Sequence, residues 1–378
     1  MKGKRILQGM ALLLALLSVT ALASCRRAEG DYTDELIDLG IPLIERYTNE
    51  TQNDIRARCS EDMVIYDGRL YVGCGDYSTN KGPVNIYSYG LADGEWQTSA
   101  ETLDDEHIKR FLVLDGTLCI PGTDPRGDWS LGNYYTLADG AWQTHRVLPS
   151  GIHCFDGVVY EGKTFWGLGV NSGDFPVVVQ SGEALRFVPF VRDGAAVDTA
   201  GFEFVRVHNF SVYNGELYAF FTLGNTDTVD YSVYRYDGEV FVYVSTPPEV
   251  FLRSYDISHT ASFAGLNTFI NGYCYYVTED MSAFRPWRVG DSDLACDMEQ
   301  IGDTLYVLAH RTLENGDYET GVYATKDGKE FEKLFYFHYD IPANSFAYAD
   351  GTFYFSMGRY YDGSSDEMGR VFALDFKL

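Results

Sequence analysis

The chain repeats one pattern seven times: a run rich in aromatic and β-branched residues, a turn centred on Gly, and a second such run. Apolar residues alternate with polar ones within the runs, which is the period of a β-strand. Most of the turns are Asp-Gly or Asn-Gly, and these dipeptides suit a two-residue hairpin because both central positions need positive φ. The pattern therefore predicts an all-β chain of hairpins, and its marker glycines are Gly68, Gly116, Gly162, Gly215, Gly272, Gly302 and Gly351.

Most units contain a second hairpin. Its turns are Asp93-Gly94, Asp139-Gly140, Asp237-Gly238 and Asp327-Gly328. Two hairpins give four antiparallel strands, and four such strands make one propeller blade. Most marker glycines lie 46 to 57 residues apart, close to the roughly 40 to 50 residues of propeller repeats. The sequence predicts a single domain, residues 41–378, that forms a seven-bladed β-propeller of four-stranded antiparallel blades.

Two units depart from the pattern. The step from Gly272 to Gly302 is only 30 residues, which predicts that the fifth blade lacks its outer strand. The seventh unit has one hairpin and one further strand before the chain ends. We expect the N-terminal stretch 41–47 to supply the missing strand, because pairing the two chain ends closes the ring and hides its edges.

The N-terminus has the layout of a secretion signal. Lys2, Lys4 and Arg5 precede an apolar run around residues 10–17, and Leu22-Ala23-Ser24-Cys25 follows. This layout resembles the bacterial lipobox. The resemblance implies that residues 1–24 are a lipoprotein signal peptide, that Cys25 carries the lipid and that residues 25–40 are a tether. It places the protein at a bacterial cell membrane, on the extracytoplasmic face.

The charge of the chain argues against one class of partner. Three of the 29 basic residues and none of the 55 acidic residues lie in residues 1–24, so the remainder carries a net charge of −29. An acidic surface repels phosphate backbones, and nucleic acid is therefore not an expected partner. We expect a monomer whose partner is a glycan or an envelope or surface protein.

The cysteines do not have metal-ligand spacing. No C-x-x-C pattern occurs, so no structural metal site is predicted. Cys59 and Cys74 flank the Asp67-Gly68 turn nearly opposite each other, and both a disulfide and two buried thiols are compatible with that position. No cofactor is identified, and a calcium requirement stays open.

The units resemble WD-repeat and kelch-like propellers in period and hairpin pattern. The resemblance implies that the tight turns lie on one face, whereas the longer connections lie on the other. These connections are polar and irregular, at residues 75–83, 122–129, 169–175, 224–227, 278–280, 310–314 and 358–362. Binding residues concentrate in such loops. The predicted ligand-binding residues are Asp76, Tyr77, Asp124, Arg126, Trp129, Asp174, His208, His310, Arg311, Arg359 and Tyr360.

Residues that lead into the innermost strands should point toward the central channel. They are Arg58, Asp62, His107, Arg110, His153, His208, His259, Asp297 and Asn344. Carboxylates, imidazoles and aromatic rings together suit a sugar, which presents hydroxyls and C–H faces. The simpler interpretation is that Asp and Asn bond backbone N–H groups in turns.

Two fragments resemble parts of sialidases. Residues 325–331 are similar to a shortened Asp-box, a structural turn, and Phe284-Arg285-Pro286 is similar to part of the arginine-containing signature. The arginine triad of that family cannot be assigned residue by residue in this sequence. We therefore expect a lipid-anchored propeller that binds an extracellular ligand without chemistry of its own. The alternatives are a propeller-type carbohydrate-active enzyme (a glycosidase, a sialidase-like enzyme or a lyase) and a scaffold for envelope proteins.

Overall fold

The structure, a computed structural model, describes residues 29–42, 55–75, 82–127, 129–170, 172–225, 228–248, 257–359 and 365–378. The predicted signal peptide, Cys25, Asp76, Tyr77, Tyr360 and most of the stretch 41–47 lie outside these ranges. Apart from two short 3-10 helices, Thr33–Glu35 and Ile55–Arg58, the regular structure of the described residues is β-strand. The described part of the chain has no helix that is long and apolar enough to cross a membrane.

The fold is an all-β propeller of four-stranded antiparallel blades. Five blades are separate sheets. Three of them are Met63–Tyr66, Arg69–Val72, Val84–Gly90 and Trp96–Leu103; Leu112–Leu114, Thr117–Pro121, Leu131–Ala138 and Ala141–Pro149; and Ile257–Phe263, Leu266–Asn271, Cys274–Thr278 and Arg285–Trp287. The other two are Leu294–Ile301, Thr304–Thr312, Tyr318–Thr325 and Glu332–Tyr339; and Ala343–Ala349, Thr352–Met357, Val371–Asp375 and Ile37–Gly40.

The remaining strands form one ten-stranded sheet. It contains two runs of four consecutive antiparallel strands and a short hairpin between them. The sheet is continuous because Gly169 and Val170 of the first run pair with Arg206 and Val205 of the second. Its strands are His153–Tyr160, Lys163–Val170, Val177–Ser181 and Ala184–Phe187; Phe190–Arg192 and Ala195–Ala196; and Phe204–Tyr213, Glu216–Asn225, Thr228–Tyr236 and Phe241–Ser245.

The hairpin turns follow the predicted chemistry in most units. Asp67 and Gly68, for example, have φ of 48° and 70°, as a two-residue turn between antiparallel strands requires. The four predicted second turns also lie between the third and fourth strands of their units. Because consecutive strands are antiparallel, the turns between strands one and two and between three and four share one face, the turn face. The longer connections lie on the opposite face, the loop face.

The fifth unit was predicted in the wrong register. Its inner turn is Ala264-Gly265, with φ of 51° and 76°, and Asn271-Gly272 belongs to the next connection. The unit has its outer strand, Arg285–Trp287, which the prediction denied. Residues 278–280 therefore lie at the turn face, where Glu279 and Gly265 both accept hydrogen bonds from the Tyr213 hydroxyl. The error arose because Ala264 occupies the positive-φ position of this turn, where the other turns that guided the prediction mostly have Asp or Asn.

The N-terminal residues also differ from the prediction. Ile37–Gly40 pairs antiparallel with Val371–Asp375, so a strand lies within the predicted tether, residues 25–40; residues 43–47 of the stretch predicted to supply a strand lie outside the described residues. Tyr32 is buried, and its ring packs edge-on against Phe335 and Phe376. Burial of this ring favours an ordered N-terminus by roughly 2 kcal/mol. The Trp96 indole of the first blade donates to the Leu39 carbonyl at 2.7 Å, which ties the same segment to a second sheet.

The core lies between neighbouring sheets. Rings of adjacent blades pack there, as Phe335 does against Phe353 and Phe355. Because these side chains are wholly buried, each contributes on the order of 2–3 kcal/mol. This packing holds the blades side by side and fixes where their first strands meet.

Removing the first strand should destabilise the propeller. A chain that starts at Pro42 loses Tyr32 and the pairing with Val371–Asp375. We expect its free energy of unfolding to fall by about 3 kcal/mol relative to a chain that starts at Glu29. Urea unfolding followed by Trp fluorescence measures the difference. Equal midpoints for the two chains would contradict the assigned role of this strand.

Candidate functional site

The first strands of the blades bring polar residues together at the axis of the propeller. Five of these strands carry a β-bulge at the same level, and one extra residue there re-aims the next side chain. The bulge residues are Phe155, His208, Ser258, Cys296 and Asn344. We call the residues that follow them, with their counterparts in the first two blades, the inner ring: Asp62, Arg110, Asp156, Asn209, His259, Asp297 and Ser345.

Three inner-ring carboxylates join one blade to the next. Asp62 accepts a hydrogen bond from the backbone N–H of Phe111 at 2.6 Å. Asp156 and Asp297 do the same with Phe210 and Phe346, at 2.7 and 2.8 Å. A charge-assisted bond to a buried N–H is stronger than a neutral one. These carboxylates therefore hold the blades in register around the axis.

Two ion pairs lie in the same ring. Arg110 Nη1 is 3.0 Å from Asp156, and Nη2 donates to the carbonyls of Ile257 and Ser258. His259 Nε2 is 2.8 Å from Asp297. Burial alone would lower the pKa of His259, but the Asp297 carboxylate raises it above its ordinary value. Both cations of the inner ring are thus compensated by a carboxylate.

Two carboxyl groups at the centre stay partly protonated near neutral pH. Burial raises the pKa of Asp62 to about 7, and burial together with the Asp297 charge raises the pKa of Glu299 to about 7. Charged forms are disfavoured where water is excluded. The centre of the propeller therefore carries little net charge.

The pKa of Asp62 gives a pH dependence that can be measured. Between the ordinary value of 3.8 and about 7, the folded protein holds a proton that the unfolded chain has released. This stabilisation is complete below pH 3.8 and is lost as the pH rises through 7, at up to about 1.4 kcal/mol per pH unit. In Asp62→Asn, which keeps an oxygen acceptor for Phe111, we expect a flatter profile of unfolding free energy between pH 5 and 8.

Urea unfolding at four pH values tests this expectation. Asp34→Asn is a matched control, because Asp34 is exposed on the N-terminal segment. A profile for Asp62→Asn that runs parallel to those of the wild type and the control would show that Asp62 does not titrate in this range.

A cavity of about 420 Å³ lies at the axis. We call it the axial cavity. It is lined by first-strand residues and the segments that lead into them, and not by the longer loops. Asp62, Arg110, Asn209 and His259 line it together with apolar residues such as Phe111. A concave site with a few polar groups among apolar walls is typical of small-molecule binding.

A second group lies on the loop face, and we call it the loop-face cluster: Asp124, His153, Phe155, Arg206 and His208. The Phe155 ring stacks on His153 at 5.0 Å and lies against His208 at 4.5 Å. His153 Nδ1 is 2.9 Å from Asp124. Burial opposes ionisation of Asp124, but His153 holds the pKa of this carboxyl below its ordinary value. Arg206 lies over Phe155 at 5.8 Å.

The other predicted loop residues have separate partners. Arg126 forms an ion pair with Asp104 at 2.7 Å, and Asp174 accepts a hydrogen bond from Ser150. Trp129 is half exposed and donates to the carbonyl of Pro125. The structure places these side chains around the second and third units without joining them to the loop-face cluster.

Three predicted residues of the later blades are engaged in contacts within or between these blades. His310 is 2% exposed beside Cys296, and burial lowers the pKa of this imidazole to about 3. Arg311 forms ion pairs with Asp291 and Glu319. Arg359 is buried over the Tyr273 ring.

Most of the residues that were predicted to lead into the innermost strands and point toward the channel lie in the inner ring or in the loop-face cluster. Asp62, Arg110, His259 and Asp297 all lie in the inner ring, and His153 and His208 belong to the loop-face cluster. Of the others, Arg58 donates to the Asp366 carbonyl, Asn344 to the Ser60 carbonyl, and His107 forms bridges with Gly75 and Thr123.

Three inner-ring residues were not predicted from the sequence: Asp156, Asn209 and Ser345. Asn209 and Ser345 each directly precede a Phe, as the predicted residue Arg110 does, and this shared position would have identified both.

Cys59 and Cys74 are not joined by a disulfide in the structure. The Cys59 thiol donates to the carbonyl of Gly358 at 2.9 Å, and Cys74 lies 3.7 Å from the carbonyl of Asn85. The two thiols thus have partners in different blades. Within the described ranges, no group of three His, Cys, Asp or Glu side chains is arranged to hold a metal ion.

No protein-family model matches the sequence, and a search of curated proteins finds no match. Solved structures show a distant likeness. A "putative 6-phosphogluconolactonase" from Bacteroides fragilis NCTC 9343 is 11% identical with a TM-score of 0.47, over 77% of this chain and 88% of that one. The polysaccharide lyase Uly1 is 10% identical with a TM-score of 0.45, over 91% of this chain and 98% of that one.

A third structure, BBS1N in complex with ARL6DN, is 10% identical with a TM-score of 0.43, over 82% of this chain and 88% of that one. Likenesses at this level do not bear on what the chain binds.

Proposed function

We propose that the chain is an exported, lipid-anchored propeller that binds a glycan on its loop face without chemistry of its own. The observation that carries the proposal is the loop-face cluster, where Phe155 lies between two imidazoles beside Asp124 and Arg206. Rings offer a face to sugar C–H groups, and carboxylate and guanidinium groups bond hydroxyls. A cluster built on bulges of rigid strands keeps its geometry, as a binding site requires.

The proposal includes seven blades in a closed ring. It counts the five separate sheets and the two four-stranded runs of the ten-stranded sheet. Closure would come from Ile37–Gly40, which pairs with Val371–Asp375 and accepts a hydrogen bond from Trp96 of the first blade. A ring without open strand edges suits a monomer.

The lipid anchor rests on the sequence alone. Lys2, Lys4 and Arg5, the apolar run and Leu22-Ala23-Ser24-Cys25 form the supporting pattern. In this proposal Cys25 holds the propeller at the extracytoplasmic face of a bacterial membrane. The partner is then a glycan of the surroundings or of the envelope.

The anchor is tested by Cys25→Ala. We expect the wild type, expressed in a bacterial host, to sediment with membranes, to be released by detergent and to incorporate labelled palmitate. Cys25→Ala should lose the label, since the thiol that carries the lipid is absent. Label retained by Cys25→Ala would exclude the anchor, whereas Cys274→Ala is the control that should behave as wild type.

The glycan proposal is tested with the soluble chain from Arg26 onward. Affinity electrophoresis in gels that contain plant, mucin or bacterial-wall polysaccharides should show retardation by at least one polymer. Phe155→Ala removes the central ring and should weaken that binding about tenfold. Phe331→Ala is a matched control, because Phe331 packs against Tyr275 near the turn face. Equal losses in both variants, or no retardation at all, would contradict the proposal.

A carbohydrate-active enzyme is the second candidate. The observation in its favour is the pair of central carboxyls, Asp62 and Glu299, whose pKa values of about 7 suit proton transfer. Asp62, however, is already engaged with the backbone of the next blade, which explains its position without chemistry. Sugar released from the polymers in the same screen would favour the enzyme.

A further inference from the structure

We infer that the axial cavity is a binding site in its own right, and that it takes a small, uncharged, hydroxyl-rich molecule such as a monosaccharide. The inference goes beyond the proposed function, because it concerns a different surface from the loop-face cluster. It rests on atoms that line the cavity and on the charges around them. It holds whether or not the loop face binds a polymer.

Asn209 carries the argument. The residue borders the cavity and is 1% exposed, and its enclosed Nδ2 and Oδ1 have no hydrogen-bond partner among the described residues. Buried amide groups are nearly always bonded, because leaving them unpaired is costly. A hydroxyl group both donates and accepts. It can therefore satisfy the donor and the acceptor of this amide together.

His259 supplies a second unused atom at the same cavity. Its Nε2 faces Asp297 at 2.8 Å, whereas its Nδ1 is buried without a partner in the described part of the chain. Burial opposes ionisation of this imidazole, but Asp297 raises its pKa and so favours the charged form, in which Nδ1 carries a proton and donates. Asn209 and His259 together thus offer two donors and one acceptor to a guest.

The charges of the lining favour an uncharged guest. Arg110 is paired with Asp156, and His259 with Asp297. Lys109 and Glu61, one group of each sign, also line the cavity. The lining therefore holds basic and acidic groups in near balance, with Asp62 partly protonated near pH 7, and an anion or a cation would meet charges of its own sign as well as of the opposite sign. Binding either ion would cost its desolvation without a full opposite charge in return.

The walls and the size fit the same class of molecule. Phe111, Leu112 and Val212 give apolar surface, and the hydroxyls of Ser258, Thr260 and Ser262 lie among them. A sugar ring presents the same mixture of C–H faces and hydroxyls. The volume of about 420 Å³ lies within the roughly 300 to 1,000 Å³ of small-molecule sites.

The test is titration calorimetry at pH 7 on the soluble chain from Arg26 onward. The probes are the neutral sugars glucose, galactose, mannose, xylose and N-acetylglucosamine, with glucosamine as the cation and glucuronate as the anion. We expect at least one neutral sugar to bind, and both ions to bind at least about tenfold more weakly. Monosaccharides rather than polymers are used, so that failure here is distinct from failure of the loop-face proposal.

Asn209→Ala should weaken the binding of that neutral sugar about tenfold, because it removes the donor and the acceptor together. Asn315→Ala, the same change on an exposed turn, should bind as wild type. If Asn209→Ala does not fold, Asn209→Asp keeps the shape but removes the donor, and it should also bind weakly.

Three binding results would overturn the inference. They are no binding of any neutral sugar at millimolar concentration, tighter binding of glucosamine or glucuronate, and wild-type affinity in the Asn209 variants. A crystal structure that shows only ordered water at Asn209 in the presence of the sugar would do the same.

Discussion

The propeller depends on the hydrogen bonds that buried carboxylates accept from the backbone of the neighbouring blade. Asp62, Asp156 and Asp297 each reach across one interface in this way. Sheet packing by apolar side chains is not directional, so it can hold two blades together without fixing their relative height. A short hydrogen bond that a carboxylate accepts from one backbone N–H group does fix the relative height of two blades. The level of the first strands, and with it the inner ring, follows from these bonds.

The same bonds explain why the centre is polar but nearly uncharged. A buried carboxylate needs a cation, a proton or several N–H donors. Here Asp156 has Arg110, Asp297 has His259, and Asp62 is partly protonated near neutral pH. The groups that align the blades therefore also create a cavity suited to an uncharged guest. Blade alignment and the inferred binding would share one set of residues, and a carboxylate at the axis is not by itself a sign of catalysis.

The bulges connect this scaffold to the loop face. Each adds one residue just before the inner ring, and in two neighbouring units that residue is Phe155 or His208. The ring contact between them lies on the loop-face side of Asp156 and Asn209. A regular strand would turn these side chains toward the opposite side of the sheet, because the side-chain period of a strand is two. The irregularity thus places an aromatic row above the cavity.

The sequence by itself determined the strand-turn-strand repeat and the positive-φ turns such as Asp67-Gly68, because both depend on residues that are neighbours in the chain. The blade as the unit of the fold follows from them. The sequence failed at Ala264-Gly265, where no Asp or Asn marks the turn, and at residues 29–40, whose strand pairing and buried Tyr32 depend on residues far along the chain. Only the tertiary structure decided which polar residues meet at the axis. Asp62 and Phe111 are 49 residues apart and Arg110 and Ile257 are 147 apart, and a bulge shifts a side chain without leaving a local signal in the alternation. Contacts of this kind depend on how neighbouring blades pack side by side, and that packing depends on apolar side chains from all parts of the propeller.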